Sequence, residues 1–304
     1  MKRLLIALAL IAGLLAVPVG AAQADHTEDP IYLSLGTSLA AGTQADALGE
    51  SVPFTDASYT DQIYGQIAPR FGGDLEHVKL GCPGETSVTF ATGGICGVVL
   101  PQLTYDTGSQ LGDALQTLAT GRVVLVTIDL GANDVLQSQD EILACFVTED
   151  PDACLFAIYD GISQSVAASV AQLRAAAPNV PIVAMNYYNP NLASWLGFGT
   201  PDGEPSPETA VGSDLLAQLG NAVLGGYYAA LGVPVADVYT FYRSGDFGDR
   251  DGDTIPNNVE VICVLTSMCP RNPEARPNIH ANPRGYEMIA RAFMVIVRAD
   301  DLVG

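Results

Sequence analysis

Eight consecutive residues, Val123-Val124-Leu125-Val126-Thr127-Ile128-Asp129-Leu130, restrict the fold of this 304-residue chain more than any other feature. The run is apolar and β-branched, and too short for a helix. It reads as a strand buried on both faces. A strand with no wet face belongs in a parallel sheet covered by helices on both sides. The rest of the sequence supplies such a sheet. Ile31-Tyr32-Leu33-Ser34-Leu35 is a second buried strand, residues 180–185 a third and 233–238 a fourth. Between them, Ile162, Val166, Val170 and Leu173 recur at helical spacing, and Pro178 ends that segment. Residues 215–231 are helical too, although Gly220, Gly225 and Gly226 weaken the pattern. A terminal helix from Gly285 puts Ile289, Ala292, Phe293 and Ile296 on one face. Strands alternating with helices predict an α/β fold. Residues 189–206 and 244–258 read as loops, and Leu192, Trp195, Leu196 and Phe198 in the first of them read as core rather than as a substrate lip.

The N-terminus is of a different kind. Lys2 and Arg3 precede an almost wholly apolar stretch, 4–19, and Ala22-Gln23-Ala24 offers the small residues that signal peptidase requires. Residues 1–24 are therefore expected to be a signal peptide, and 25–304 a single exported domain. No later run is long and apolar enough to span a membrane, so no transmembrane segment is expected after cleavage. The formal charge is −21, or −23 without Lys2 and Arg3, which makes nucleic acid an unsuitable partner. A monomer is expected. Six cysteines follow the leader: Cys82, Cys96, Cys145, Cys154, Cys263 and Cys269. An even number in an exported chain argues for disulfides, and of fifteen connectivities the spacings favour three local pairs, Cys82–Cys96, Cys145–Cys154 and Cys263–Cys269. With no C-x-x-C pair, zinc and redox chemistry are not expected.

The motifs that carry chemistry each follow a strand or precede the last helix. Gly36-Thr37-Ser38-Leu39 ends the first strand and places a serine on a turn that exposes its hydroxyl. By itself such a serine is more often a helix cap. Gly81-Cys82-Pro83-Gly84-Glu85-Thr86 follows a strand near residues 77–80. Gly131-Ala132-Asn133-Asp134 follows the central strand, and Asn278-Ile279-His280-Ala281-Asn282 leads into the last helix. Acyl transfer needs a nucleophile, a base and donors for an oxyanion. Ser38 and His280 offer the first two. The N–H groups of Ser38 and Gly84 and the side-chain amide of Asn133 offer the donors. A glycine at 84 allows the closest backbone approach to a substrate oxygen. Of the other histidines, His26 lies beside the cleavage site and His77 at a strand.

Taken in order, Ser38, Gly84, Asn133 and His280 resemble the four name-giving residues of the SGNH hydrolases, also called GDSL esterases and lipases. The full motifs are similar to those of the secreted, disulfide-bearing bacterial branch. The resemblance runs from Ser34 to the final helix. It implies a flavodoxin-like three-layer α/β/α sandwich with about five parallel strands, and ester hydrolysis through an acyl-enzyme on Ser38. Two departures stand out. Thr37 occupies the place of the family's usual aspartate, which is not a catalytic group there. Pro277 replaces the aspartate that commonly stands three residues before the histidine and orients it. Glu274 is the nearest acid, on a proline-flanked loop, so a backbone carbonyl is expected to orient His280, leaving a Ser–His dyad.

One further motif is unrelated to the reaction. Asp249, Asp251, Asp253, the carbonyl of Ile255, Asn257 and Glu260 fall at positions 1, 3, 5, 7, 9 and 12 of an EF-hand-type loop. It resembles the calcium loops of secreted bacterial proteins, although Thr254 stands where glycine is expected. The expectation is a structural Ca2+, with no cofactor for catalysis. Three functional readings follow. The first is a carboxylic ester hydrolase acting on small-molecule or lipid esters. The second is a carbohydrate or cell-wall acetyl esterase using the same residues. The third, motivated by Pro277 and the acidic loop, is a non-catalytic calcium-binding or adhesion module on a hydrolase scaffold.

Overall fold

A computed structural model describes residues 28–96, 104–298 and 302. The expected signal peptide, 1–24, lies outside the described residues. The central sheet has five strands: β1 (Ile31–Gly36), β4 (Glu76–Lys79), β5 (Val123–Asp129), β6 (Ile182–Met185) and β7 (Val235–Ala236). Their order is β4-β1-β5-β6-β7, and every neighbouring pair is parallel. Two antiparallel pairs lie outside it: β2 (Gln44–Ala45) with β3 (Ser51–Val52), and β8 (Thr266–Ser267) with β9 (Asn278–Ala281).

The two-residue period of a strand sorts the core into two halves. Leu33, Leu35, Val126, Ile128, Ile182 and Ala184 face one cluster. It is closed by α4 (Gln110–Ala119), α7 (Pro151–Ala176) and α8 (Pro207–Ala230). Tyr32, Leu125, Val183 and Met185 face the other. Its cover is α2 (Tyr59–Ile67), α10 (Asn257–Leu265) and α11 (Pro283–Met294). The result is the three-layer α/β/α sandwich expected from the sequence. Leu192 is fully buried in the second cluster, and Trp195, Leu196 and Phe198 pack against it, so these residues are core.

Some bounds differ from expectation, for local reasons. The strand at 233–238 shortens to β7, because the Asp237 side chain accepts from Thr240 N–H and caps α9 (Val238–Phe241). α7 begins well before Ile162: Asp150 caps it and Pro151 fits its first turn. That helix is also long and apolar enough, by length and composition, to cross a membrane, contrary to the expectation for the chain beyond its leader. Here Leu155, Tyr159, Val166, Val170 and Leu173 bury one side of it. The three disulfides are the local pairs, Cys82–Cys96, Cys145–Cys154 and Cys263–Cys269, with sequence separations of 14, 9 and 6. None of them joins one strand of the sheet to another.

After β4, on one side of β1, the chain crosses to β5 on the other side. The carboxyl ends of β1 and β5 therefore flank a topological switch point, where open parallel sheets form a crevice.

Candidate active site

Ser38 lies in that crevice as the first residue of α1 (Ser38–Ala41), two residues beyond β1. The turn before it is fixed by two buried side chains. Asp129, at the end of β5, accepts from Thr37 N–H at 2.9 Å and from Thr37 Oγ1 at 2.5 Å, while Tyr59 donates to its other oxygen at 2.8 Å. Burial outweighs these donors and raises the Asp129 carboxyl to about 7. Gln110, from α4, clamps Gly36: its Oε1 accepts from Gly36 N–H at 2.6 Å and its Nε2 donates to Gly36 O at 2.9 Å. The same Nε2 lies 3.0 Å from Glu85 Oε2, so one side chain ties the serine turn to the loop after β4.

In that loop Gly84 sits at φ +83°, a left-handed conformation that favours glycine. Cys82–Cys96 fastens the loop, and α3 (Ser87–Thr92) follows. From the other side α5 (Ala132–Gln137) holds it. Asn133 Nδ2 donates to Glu85 O at 2.9 Å, and Asp134 accepts from Ser87 N–H and Oγ. An amide nitrogen carries two hydrogens, so Asn133 is oriented by one and retains the other.

His280 lies on β9, and Tyr188 OH donates to the preceding carbonyl, Ile279 O, at 2.8 Å. The group against its Nδ1 corrects the sequence expectation. It is neither a backbone carbonyl nor Glu274, which is exposed like Pro277. It is the side-chain oxygen of Asn278, 2.7 Å away. Burial lowers the His280 imidazole to about 4.

Ser38, Asn133 and His280 line one cavity of about 830 Å3; Gly84 is not among its lining residues. The cavity continues between α5, α6 (Gln139–Cys145), α7 and α8, where Leu136, Ile142, Leu155, Leu216, Leu219 and Leu224 make its wall. Cys145–Cys154 joins α6 to α7 along that wall. At its edge Leu143, Phe146 and Leu215 are exposed.

No residue of the acidic loop lines this cavity. The Asp249, Asp251 and Asp253 carboxylates lie within 4.8 Å of one another. Desolvation, then the charges of Asp251, Asp253 and Asp249, raise the Glu260 carboxyl. Asn257 instead donates to Asp246 at 3.2 Å. Thr254 takes the φ expected of glycine, +77°, at a cost of about 1–2 kcal/mol for an L-residue.

Sequence reasoning missed three residues. Asp129 left a trace, an acid at the end of an apolar buried run. Asn278 stood inside the histidine motif but outside the position where an aspartate was sought. Gln110, 74 residues from the glycine it clamps, left none.

Ser38, Asn133 and His280 thus meet around one cavity at the carboxyl edge of a parallel α/β/α sandwich. The chain belongs to the GDSL-like Lipase/Acylhydrolase family, which it matches over residues 34–288. It is similar in fold to phospholipase A1 from Streptomyces albidoflavus, with a TM-score of 0.50 and 16% identity, covering 87% of this chain and 99% of that one. It is similar also to the acetyl xylan esterase AlAXEase, with a TM-score of 0.50 and 10% identity, covering 88% of this chain and 100% of that one. No curated protein sequence matches the chain.

Proposed function

We propose that the protein is a secreted serine esterase or lipase that prefers esters with an extended apolar acyl group. Ser38 Oγ attacks the acyl carbon while His280 Nε2 takes its proton. Ser38 N–H, Gly84 N–H and the Asn133 amide hold the oxyanion. The alcohol leaves with the proton from His280. Water, deprotonated by the same nitrogen, then cleaves the acyl-enzyme and restores Ser38. The observation that carries this reading is the apolar cavity shared by Ser38, Asn133 and His280. An acetyl group needs no such volume, whereas a long acyl chain is desolvated along its whole length there, at roughly 0.8 kcal/mol per methylene.

The test is a series of p-nitrophenyl esters from acetate to palmitate, with fluorophosphonate labelling of the serine. Turnover should rise with chain length, and Ser38→Ala should abolish both turnover and labelling. Labelling of Ser38 with activity confined to acetylated xylan would move the assignment to a carbohydrate acetyl esterase. No labelling at pH 8 would support the non-catalytic reading.

Export is supported by the leader-like N-terminus and the three disulfides. It requires that protein recovered outside the cell begin near Asp25, which intact-mass measurement checks. The structural Ca2+ remains a proposal, supported by ligand spacing and the three gathered carboxylates. A melting temperature unchanged between EDTA and Ca2+ would dismiss it.

A further inference from the structure

A histidine that serves as base to a serine must keep Nε2 unprotonated, and the group on its far nitrogen decides this. We infer that Asn278 is the positioning residue of this site: its side-chain oxygen holds the ring of His280 and fixes its tautomer. The inference rests on the reading of Ser38 and His280 as nucleophile and base.

The hydrogen bonds leave the amide one orientation. Asn278 Nδ2 donates to Gly49 O at 2.9 Å and to Ser51 Oγ at 3.0 Å. Turned over, the amide would set its oxygen against the Gly49 carbonyl, two acceptors without a proton between them. Oδ1 therefore faces His280, where it accepts from the backbone N–H at 3.0 Å and lies 2.7 Å from Nδ1. An amide oxygen only accepts, so Nδ1 carries the proton and Nε2 the lone pair.

The turn between β2 and β3 makes this arrangement possible. Arg276 N–H donates to Leu48 O at 3.0 Å, docking the turn on the strand that leads to Asn278. Gly49 has φ +83°, and any Cβ there would collide with Arg276 O. The docked turn presents a carbonyl to residue 278, and a carbonyl requires a donor. Asparagine supplies that donor on one atom and the acceptor for His280 on the other. A carboxylate at 278 would satisfy the histidine and repel the turn.

Asparagine also brings no charge. Burial is the sole cause of the lowered His280 basicity, with no carboxylate contributing. The triad is thus neutral in its third member, and the acid limb of the reaction lies lower than a carboxylate would set it.

The test compares wild type, Asn278→Ala and Asn278→Asp by 15N NMR of the imidazoles and by steady-state kinetics across pH. Wild-type His280 should be the Nδ1–H tautomer at pH 7. In Asn278→Ala that preference should be lost, with kcat down roughly 100-fold and KM within about two-fold, as expected for a misoriented base. In Asn278→Asp the acid limb of kcat/KM should move up by roughly one pH unit or more. Retention of the Nδ1–H tautomer and of kcat in Asn278→Ala overturns the inference. If that variant does not fold, an unmoved acid limb in the near-isosteric Asn278→Asp overturns it. Failure of the esterase reading is separate: it appears as Ser38→Ala or His280→Ala retaining wild-type turnover, whatever the tautomer.

Discussion

Thr37 donates its backbone N–H and its hydroxyl to the same carboxylate oxygen of Asp129. The residue before the serine is thus a donor, and the acid it meets stands at the end of the neighbouring strand. Thr37→Asp should therefore harm the protein, although it restores the family's usual residue. It would bury two carboxyls against each other, and they must share a proton. Asp129 is already raised to about 7 by burial, above the unfolded value of about 3.9. A group raised in this way stabilises the fold at low pH and loses that contribution as pH rises through the folded value. Thr37→Asp should thus melt near wild type at pH 4 and well below it at pH 8. Equal melting temperatures at pH 8 would refute the argument.

The cavity makes a selective prediction. Ala217 lines it from α8, away from Ser38 in the sequence and on the helical wall. Ala217→Trp should reduce turnover of p-nitrophenyl palmitate at least roughly ten-fold and leave the acetate within about two-fold, because a filled pocket excludes chains and not the reacting carbonyl. Parallel losses on both esters would mean that acyl chains bind elsewhere.

Histidine burial sets an acid limit for activity. His280 is lowered to about 4 by desolvation and must be neutral to act as base. The acid limb of kcat/KM should fall near pH 4 rather than near the ordinary histidine value of about 6.5. His77, partly buried and also lowered to about 4, chiefly by desolvation, shares a linked effect on stability. Between about 4 and 6.5 the unfolded chain binds protons that the folded one refuses, so these two groups make stability rise with pH across that window. Stopped assays on protein returned to pH 7 separate the reversible limb from unfolding.

Removing Cys145–Cys154 should be felt on long substrates first. The bond closes a 9-residue separation, and constraining so short a loop stabilises by roughly 2–3 kcal/mol in the chain-entropy account. A double Cys→Ser variant should melt several degrees lower and lose palmitate turnover more than acetate turnover, since the freed segment forms the cavity wall. Unchanged chain-length preference would show that α6 stands without it.

Where sequence reasoning succeeded, the signal was local or periodic. Doubly buried strands such as 123–130 announce a parallel sheet, and close cysteines announce their own partners. Ser38, Asn133 and His280 each follow or enter an element whose type was legible, so their gathering at one edge was legible too. The losses have a common cause. Gln110 acts on Gly36 across the fold, and Asn278 acts through the β2–β3 turn, more than two hundred residues earlier in the chain. Hydrogen bonds between distant segments leave no periodicity. α10 was overlooked because its first turn, Asn257 and Asn258, reads as the tail of an acidic loop.

The three disulfides hold loops and leave the sheet to fold by burial alone. One tethers the turn bearing Gly84, one joins α6 to α7, and one spans β8 from the end of α10. With its disulfides reduced, the chain would keep its scaffold while these three loops slacken.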